Sequence, residues 1–246
     1  QMCIRDSNTD EDILEVTIAN LSVVSTCTTT APGAGSIPNQ YSNYAGTVGA
    51  ASLIAGQNYN FTVQVGTCGG AFPNALACYI DLNQNGILND PGEQVYLSPA
   101  STNGPHLETG TITIPANATT GITRMRWVLN ETPTPAVITA TGSYALGETE
   151  DYCAQILAPL CSGTISSGIS ALSNTLGCSN ASFTLSASGL STLSGVGFQW
   201  YNAASLAGPW TPVTGATNSV FTVLTGTTGY YQLVSTCTIS AFSATT

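Results

Sequence analysis

Residues 147–156 read Gly-Glu-Thr-Glu-Asp-Tyr-Cys-Ala-Gln-Ile, three carboxylates in four positions followed by an alternating segment. The alternation predicts a β-strand, in which Glu148 and Glu150 share one face and Asp151 points to the other. Such a cluster is repulsive unless a cation or hydrogen-bond donors neutralise it. We therefore treat these three carboxylates as second-choice metal ligands or as partners of the two nearest arginines of the chain.

The charge distribution changes sharply at the end of this stretch. The chain has 246 residues and a formal net charge of -10, and every acidic residue, arginine and histidine lies at or before Asp151. Such a break predicts a domain boundary, placed at Leu157–Pro159 because proline disfavours a continuing sheet ladder. The predicted domains are residues 8–158 and 159–246. Residues 1–7 resemble a translated adapter and are set aside as a non-native scar.

Strand signals dominate on both sides of this boundary. Short segments alternate apolar with polar residues between Gly, Pro, Asn or Thr clusters, and no long stretch has a helical period. We therefore predict an all-β chain of two tandem antiparallel β-sandwiches. The predicted strands are 13–19, 59–65, 111–114, 125–129, 182–188, 197–201, 220–223 and 230–235.

The second sandwich is predicted to be immunoglobulin-like and to lack a clear last strand. Tyr230–Cys237 reads as its penultimate strand, and Ile239–Thr246 stops where the last strand is expected. Either the chain is a fragment, or another chain supplies that strand, which is a known route to polymers. In the second case the donor is the segment Asp10–Asn20 or a neighbouring chain's tail.

The strongest local motif is the loop at residues 81–93, which reads DLNQNGILNDPGE. Alternate oxygen-bearing side chains, a glycine for the reversal and a closing glutamate suit a seven-coordinate hard cation. We predict calcium here, although an Asn-Gly turn between two strands is the simpler alternative. The predicted ligands are Asp81, Asn83, Asn85, Ile87, Asn89, Asp90 and Glu93.

The chain has eight cysteines without a CxxC pair, which argues against a zinc ribbon and indicates an oxidising, extracellular compartment. We expect disulfides Cys178–Cys237, around the core residue Trp200, and Cys68–Cys78 across a hairpin. The pairing stays open for Cys27, Cys153 and Cys161. Glycosylation is a further hypothesis, against the simpler reading that the sequons are accidental. The candidate sequons begin at Asn60, Asn117, Asn130 and Asn180.

Several function classes are disfavoured by composition. Three arginines and no lysine leave no cationic stripe for nucleic acid, and no apolar run is long enough to cross a membrane. His106 has no nucleophile motif nearby, so we predict that the chain is not an enzyme. Paired carboxylates are also glycosidase candidates, but calcium ligation explains the same residues with fewer assumptions.

Five motifs in order resemble the GEVED domain over about residues 8–158. This resemblance implies a β-sandwich module of large secreted or surface-attached bacterial proteins, without an established catalytic activity. The motifs are Ile13–Leu21 with Cys27, Tyr41–Tyr44, Ile80–Gly86 with Pro91–Glu93, Ile114–Pro115 with Gly121–Arg126, and Gly147–Tyr152 with Thr149 in place of Val.

The second domain resembles the immunoglobulin-like repeats of bacterial surface adhesins. The likeness is one of fold and says nothing about a ligand. The segments that carry it are Phe198–Tyr201, Gly208–Val213, Gly215–Phe221 and Tyr230–Cys237.

Three functions are compatible with these features. The first is a structural or adhesive surface module that polymerises into filaments, with neighbouring copies or further repeats as partners. The second is a calcium-dependent module that binds surface glycans by stacking on aromatic residues. The third is an accessory fragment of a larger secreted enzyme. The aromatic candidates for stacking are Trp127, Trp210, Tyr41 and Tyr44.

Overall fold

The computed structural model describes residues 11–38, 40–142, 144–161, 165–172, 182–223, 229–238 and 243–246. The chain divides into two compact units, Gln1–Leu157 and Ala158–Thr246. In the described part of the chain, the regular structure is β-strand apart from one short 3₁₀ helix at Pro135–Val137, so the all-β prediction is confirmed. The strands of the first unit are β1 Glu11–Ile18, β2 Leu21–Val24, β3 Tyr41–Asn43, β4 Ala51–Ile54, β5 Asn58–Thr67, β6 Pro73–Ile80, β7 Gln94–Leu97, β8 Thr102–Asn103, β9 His106–Thr113, β10 Gly121–Glu131 and β11 Gly147–Leu157.

The first unit is a sandwich of two sheets. One has the strand order β2-β1-β5-β9, and the other has the order β3-β11-β10-β6-β7, with β4 also pairing with β11 and β8 with β6. Most pairs are antiparallel, as predicted. However, β3 and β4 pair in parallel with β11, because the chain reaches them by crossovers rather than by hairpins.

The hydrophobic core of the first unit lies between its two sheets. Phe61 of β5 packs against Trp127 of β10, with ring centroids 4.9 Å apart. The opposite face of β10 is also covered, because Val128 packs with Ile138 and Ala140 of the segment that follows this strand. From Met125 to Asn130, the strand β10 is therefore buried on both faces, which is unusual for an antiparallel sheet.

A β-bulge in β1 brings acidic residues into this sandwich. The register between β1 and β5 shifts between Ile13 and Glu15. Before the shift, Glu11, Asp12 and Ile13 are all buried, so the usual alternation of exposure is interrupted. Bulges commonly re-aim side chains in this way.

The second unit is also built from two sheets. Their strand orders are β12-β13-β16 and β15-β14-β17-β18. A buried cluster that contains Trp200, Leu185 and Leu233 joins the two sheets. Its strands are β12 Ser167–Leu172, β13 Phe183–Leu190, β14 Val196–Ala203, β15 Thr211–Pro212, β16 Val220–Val223, β17 Tyr230–Cys237 and β18 Ser243–Thr245.

The expectation of an open position beside the penultimate strand is wrong. Residues Ser243–Thr245 form β18, which pairs antiparallel with β17. The segment proposed as the strand donor is not free either, because β1 is paired with β2 on one side and with β5 on the other. A short strand made mainly of small polar residues carries little alternation, so the sequence did not reveal β18.

The disulfide predicted between Cys68 and Cys78 is also wrong. Cys68 is bonded to Cys27, with a Cα–Cα distance of 5.6 Å. Cys78 is a free thiol that is buried in the core of the first unit, so its side chain is directed away from the end of β5. Cys153 on β11 is the other free cysteine among the described residues.

The second predicted disulfide is corrected in the same way. Cys237 is bonded to Cys161, whereas Cys178 lies outside the described residues. The Cys161 N–H donates to the carbonyl of Ser194, which holds this segment beside the sheet that contains β17. Trp200 belongs to a different buried cluster, so it does not pack on the disulfide as expected.

Thiol mapping tests the pairing in the first unit. We expect the native chain to be alkylated at Cys153 and to react at Cys78 only after unfolding, because Cys78 is fully buried. Non-reducing peptide mass mapping should recover the Cys27–Cys68 cross-link. Replacing both cysteines of this bond by alanine should lower the free energy of unfolding by about 2–4 kcal/mol. Recovery of a Cys68–Cys78 peptide would contradict the structure.

Candidate functional site

The strand β11 distributes its acidic residues over both faces of its sheet. Asp151 lies opposite Arg126 in the register between β10 and β11, and Glu150 lies opposite Trp127. Glu148 and Glu150 therefore share one face, as the alternation predicted, and this face is directed into the sandwich. Asp151 is directed to the other face. This face is covered by the residues around Ile138 and Ala140, which we call the covering segment.

The glycine that opens β11 is required by a close approach of backbones. Gly147 has a φ of +123°, which L-residues rarely adopt. A Cβ at this position would lie 2.2 Å from the carbonyl oxygen of Leu129 on β10. Both the dihedral angle and the space exclude a side chain here.

Asp151 is the partner of a buried arginine. Arg126 donates from Nε to Oδ1 at 2.6 Å and from Nη2 to Oδ2 at 2.7 Å, and Nη1 donates to the Ala140 carbonyl. The Tyr41 hydroxyl donates to Oδ2 at 2.8 Å. Burial opposes the charge of Arg126, but the bonds to Asp151 raise its pKa above the ordinary value. Of the two roles predicted for Asp151, the structure therefore shows the arginine partner.

The two glutamates of β11 lie in a buried acidic cluster with an aspartate of the first sheet. We define the acidic cluster as Asp12, Glu148 and Glu150, whose exposures are 2, 2 and 1%. Glu148 accepts hydrogen bonds from the Ile13 N–H at 2.8 Å and from the Ser42 hydroxyl at 2.7 Å. Asp12 directly precedes Ile13 on β1 and is close enough to Glu148 for the two carboxyl groups to affect each other's pKa. The cluster thus joins the two sheets.

Burial strongly perturbs the protonation of the acidic cluster. Burial, aided by the charge of Asp12, raises the pKa of Glu150 to about 8 although the Tyr152 hydroxyl donates to it. Burial is also the largest cause that raises the pKa of Glu148, followed by the charge of Glu150. The pKa of Asp12 is raised by burial against its hydrogen bonds. The ionised cluster is therefore costly without a counter-charge.

Two tyrosines line the same region. Tyr44 stacks on Tyr152, with ring centroids 5.2 Å apart and an interplanar angle of 14°. Burial, followed by the charges of Glu150 and Glu148, raises the pKa of Tyr44 to about 12. Sequence reasoning did not identify Asp12 or Tyr44 as members of this site. The run of three acidic residues at positions 10–12, directly before the first predicted strand, was the available signal.

The predicted calcium loop forms a compact turn between β6 and β7. Asp81 accepts hydrogen bonds from the N–H groups of Asn85 at 3.1 Å and Gly86 at 2.9 Å. Gly86 has a φ of +85°, which suits the predicted reversal, and Gln84 before it has a φ of +59°. A non-glycine residue in this conformation is strained, and such strain is often found at functional sites.

Four further side chains of this loop form hydrogen bonds within it. The amides of Asn83 and Asn85 both approach Oδ2 of Asp90, at 2.8 and 2.7 Å, and these bonds lower the pKa of Asp90. Glu93 accepts from the Leu82 N–H at 3.0 Å, and burial raises its pKa. The loop is thus closed by its own hydrogen bonds around oxygen-bearing groups.

One predicted ligand of the loop is directed elsewhere. Asn89 donates to the Thr141 hydroxyl at 2.7 Å and accepts from the Ala140 N–H, so it ties the loop to the covering segment. For Ile87, the structure shows its N–H bonded to Asn85 Oδ1. The side chains that suit a hard cation are therefore Asp81, Asn83, Asn85, Asp90 and Glu93.

Close sets of three acidic or thiol ligands are rare in the described part of the chain. The one set whose ligand atoms all lie within 4.8 Å of one another is Asp12, Cys27 and Cys68. Its two sulfurs are bonded to each other, so this set is not a thiolate metal site. Metal binding at the loop would therefore depend on the asparagine oxygens as well as on the carboxylates.

Most of the aromatic residues predicted to stack on sugars are buried and cannot contact a ligand at the surface. Trp127, Tyr41 and Tyr44 are buried, whereas Trp210 is partly exposed. His106 lies against Glu108, with 3.2 Å between Nε2 and Oε2.

The candidate glycosylation sites differ in accessibility. Asn60 and Asn117 are exposed, and Asn180 lies outside the described residues. Asn130 is buried, because β10 has paired neighbours on both sides and both of its faces are covered. The expectation of a glycan at Asn130 is therefore wrong for the folded chain.

Residues 75–155 match the family model of the GEVED domain. The match extends from β6 to β11, so it includes the predicted calcium loop, Arg126 and the acidic residues of β11. The resemblance inferred from the sequence is thus confirmed for this part of the chain. No protein of curated function matches the chain.

Several solved structures share a weak likeness with this chain. A Niemann-Pick type C2 protein from the Japanese carpenter ant has 7% identity, a TM-score of 0.36, and coverage of 63% of this chain and 100% of its own. A CARDB domain from Pyrococcus furiosus, in complex with di-metal ions, has 13% identity, a TM-score of 0.28, and coverages of 45% and 88%. The CsuC-CsuE chaperone-tip adhesion subunit complex of Acinetobacter baumannii has 13% identity, a TM-score of 0.22, and coverages of 79% and 93%. TM-scores this low carry no argument about this chain.

Two arginines of β10 provide a matched test of the ion pair. We expect Arg126→Ala to lower the free energy of unfolding of the first unit by about 3–5 kcal/mol, because it leaves Asp151 buried and uncompensated. Arg124 lies 3.8 Å from the same carboxylate but is 53% exposed. Arg124→Ala should therefore cost less than about 1 kcal/mol. Equal losses in urea denaturation would contradict the assignment.

Proposed function

We propose that this chain is a non-catalytic structural or adhesive module of a secreted or surface-attached bacterial protein. The observation that carries the proposal is that the clustered charged side chains of the first unit are buried. The acidic cluster and Arg126 are buried and hydrogen-bonded between strands, so they do not face a substrate.

The disulfides of the chain support an extracellular location. Each unit contains a disulfide, Cys27–Cys68 in the first and Cys161–Cys237 in the second. Disulfides persist in oxidising environments such as the cell exterior. No helix among the described residues is long and apolar enough to cross a membrane.

Calcium binding by the loop at residues 81–93 is part of this proposal. Its five oxygen-bearing side chains meet on one turn, and they are the ligand types that calcium prefers. Asn89 is left out of the ligand set because it is bonded to the covering segment. The ion would neutralise carboxylates of a chain whose formal net charge is -10.

Calorimetry with and without chelator tests this loop. In millimolar calcium we expect the melting temperature of the first unit to rise by about 5–10 °C, as follows when free calcium exceeds Kd about 100-fold. The second unit has no acidic residue and should not respond. The double change Asp81→Asn and Glu93→Gln should remove the part of the shift that the loop contributes, whereas Asn89→Ala should retain the full shift. An unchanged melting temperature in EDTA would refute the site.

Assembly through a sheet edge is the finer part of the proposal. Since β18 occupies the position beside β17, we propose an open edge of the first unit instead. Among the described strands, β9 is the longest edge strand, with eight residues that pair with β5 on one side, and Leu107 on it is 58% exposed. Long edge strands with unpaired backbone groups are templates for a strand of another chain.

Electron microscopy and light scattering at increasing concentration test this assembly. We expect filaments or oligomers of the full chain, and monomers after Leu107→Lys with Thr109→Lys, because charged residues block edge pairing. Ile122→Lys is the matched control, since Ile122 is 57% exposed on β10, which has neighbours on both sides. A wild-type chain that stays monomeric would refute the assembly, and turnover in a hydrolase panel would refute the non-catalytic module.

A further inference from the structure

Among the described residues, no arginine or histidine forms an ion pair with the acidic cluster. Its three carboxyl groups are at most 2% exposed. Within the described part of the chain, the buried arginine is Arg126, and it is bonded to Asp151 on the opposite face of the sheet. Burying a carboxylate without a counter-charge costs several kcal/mol, so three together require a further partner or shared protons.

A second observation indicates that a ligand belongs at this place. Tyr44 is 4% exposed, and its hydroxyl makes no hydrogen bond of normal geometry to the described residues, although the hydroxyls of Ser42 and Ser25 lie near it. The hydroxyl lies close enough to Glu148 and Glu150 for their charges to affect it. A buried hydroxyl without a partner is uncommon, and each instance calls for an explanation such as an absent water or ion.

The groups around this hydroxyl are oxygen donors. Glu148 contributes a carboxylate that already accepts from Ser42, and Glu150 one that accepts from Tyr152. Asp12 lies on the other sheet, beside Glu148. Carboxylate and hydroxyl oxygens are the ligands of hard cations, and calcium accepts six to eight of them in flexible geometries.

We propose that Asp12, Glu148 and Glu150, together with the Tyr44 hydroxyl, form a second, buried calcium site that links the two sheets of the first unit. The three carboxyl groups do not all lie within 4.8 Å of one another. Binding therefore draws the side chains inward or includes a water that bonds to Tyr44. This site is independent of the loop at residues 81–93 and of the proposed assembly.

Calcium stoichiometry tests the proposal. The full chain is refolded in calcium and dialysed to equilibrium against buffer with millimolar calcium, and the bound excess over the dialysate is measured by elemental analysis. We expect two ions per chain in total at millimolar calcium, and one for the loop variant Asp81→Asn with Glu93→Gln. The variant Glu150→Gln should also retain one ion. The matched control Glu15→Gln, on β1 outside the acidic cluster, should retain two.

Terbium luminescence provides a second readout that locates the ion. Terbium replaces calcium and is excited through nearby tyrosine rings, and Tyr44 and Tyr152 are stacked beside the proposed site. We expect the loop variant to keep this tyrosine-sensitised signal. We expect Glu150→Gln to lose it while retaining the native circular dichroism spectrum, since glutamine resembles a protonated glutamate.

The opposite results would overturn the site without affecting the loop. If the loop variant binds no calcium, or if Glu150→Gln leaves the count at two, the acidic cluster does not hold an ion. If Glu150→Gln also raises the melting temperature at pH 8 in EDTA and the ion count never exceeds one, the cluster is neutralised by protons alone.

Discussion

The bidentate ion pair between Arg126 and Asp151 is the interaction on which the first unit depends. It joins β10 to β11 at directly opposite positions, so it fixes the register that places Glu148 and Glu150 on the inner face. A slip of one residue would exchange the faces of all three acidic residues. The Ala140 carbonyl of the covering segment accepts a further hydrogen bond, from Nη1 of Arg126. The ion pair is therefore hydrogen-bonded to protein on the face where an antiparallel sheet normally meets water.

The two acidic sites of the first unit differ because their surroundings differ. In the loop at residues 81–93, side-chain amides and backbone N–H groups surround the carboxylates, and the pKa of Asp90 is lowered. In the acidic cluster, burial dominates over the available donors, and the pKa values of Asp12 and Glu148 are raised. The same residue type thus carries charge easily in one place and at a high cost in the other.

Local features of the sequence predicted most of the fold. Alternation located the segments that became β1, β5, β10 and β17, because the period of a strand is visible within five or six residues. The parallel pairing of β3 with β11 was missed, since β3 has only three residues and the paired residues of β11 lie more than 100 positions away. The faces of Glu148 and Asp151 followed from the same alternation.

The disulfides and the site show where such reasoning ends. Cys68 is close in sequence to Cys78, but sequence spacing contains no information on which face of β6 a side chain occupies. Asn89 fits the ligand spacing of a calcium loop, yet its side chain donates a hydrogen bond to Thr141 instead. Asp12 joins the acidic cluster only because a β-bulge interrupts the alternation of β1, and a bulge has no clear sequence signal.

The disulfide of the second unit has a mechanical consequence. Its two cysteines are 76 positions apart within a unit that spans Ala158–Thr246. A pulling force applied at the two ends of this unit would pass through the sulfur–sulfur bond and bypass the enclosed strands. The chain lengthens by about 3.3–3.6 Å for each residue that is released, and the enclosed residues cannot be released while the bond is intact. The second unit is therefore nearly inextensible under tension.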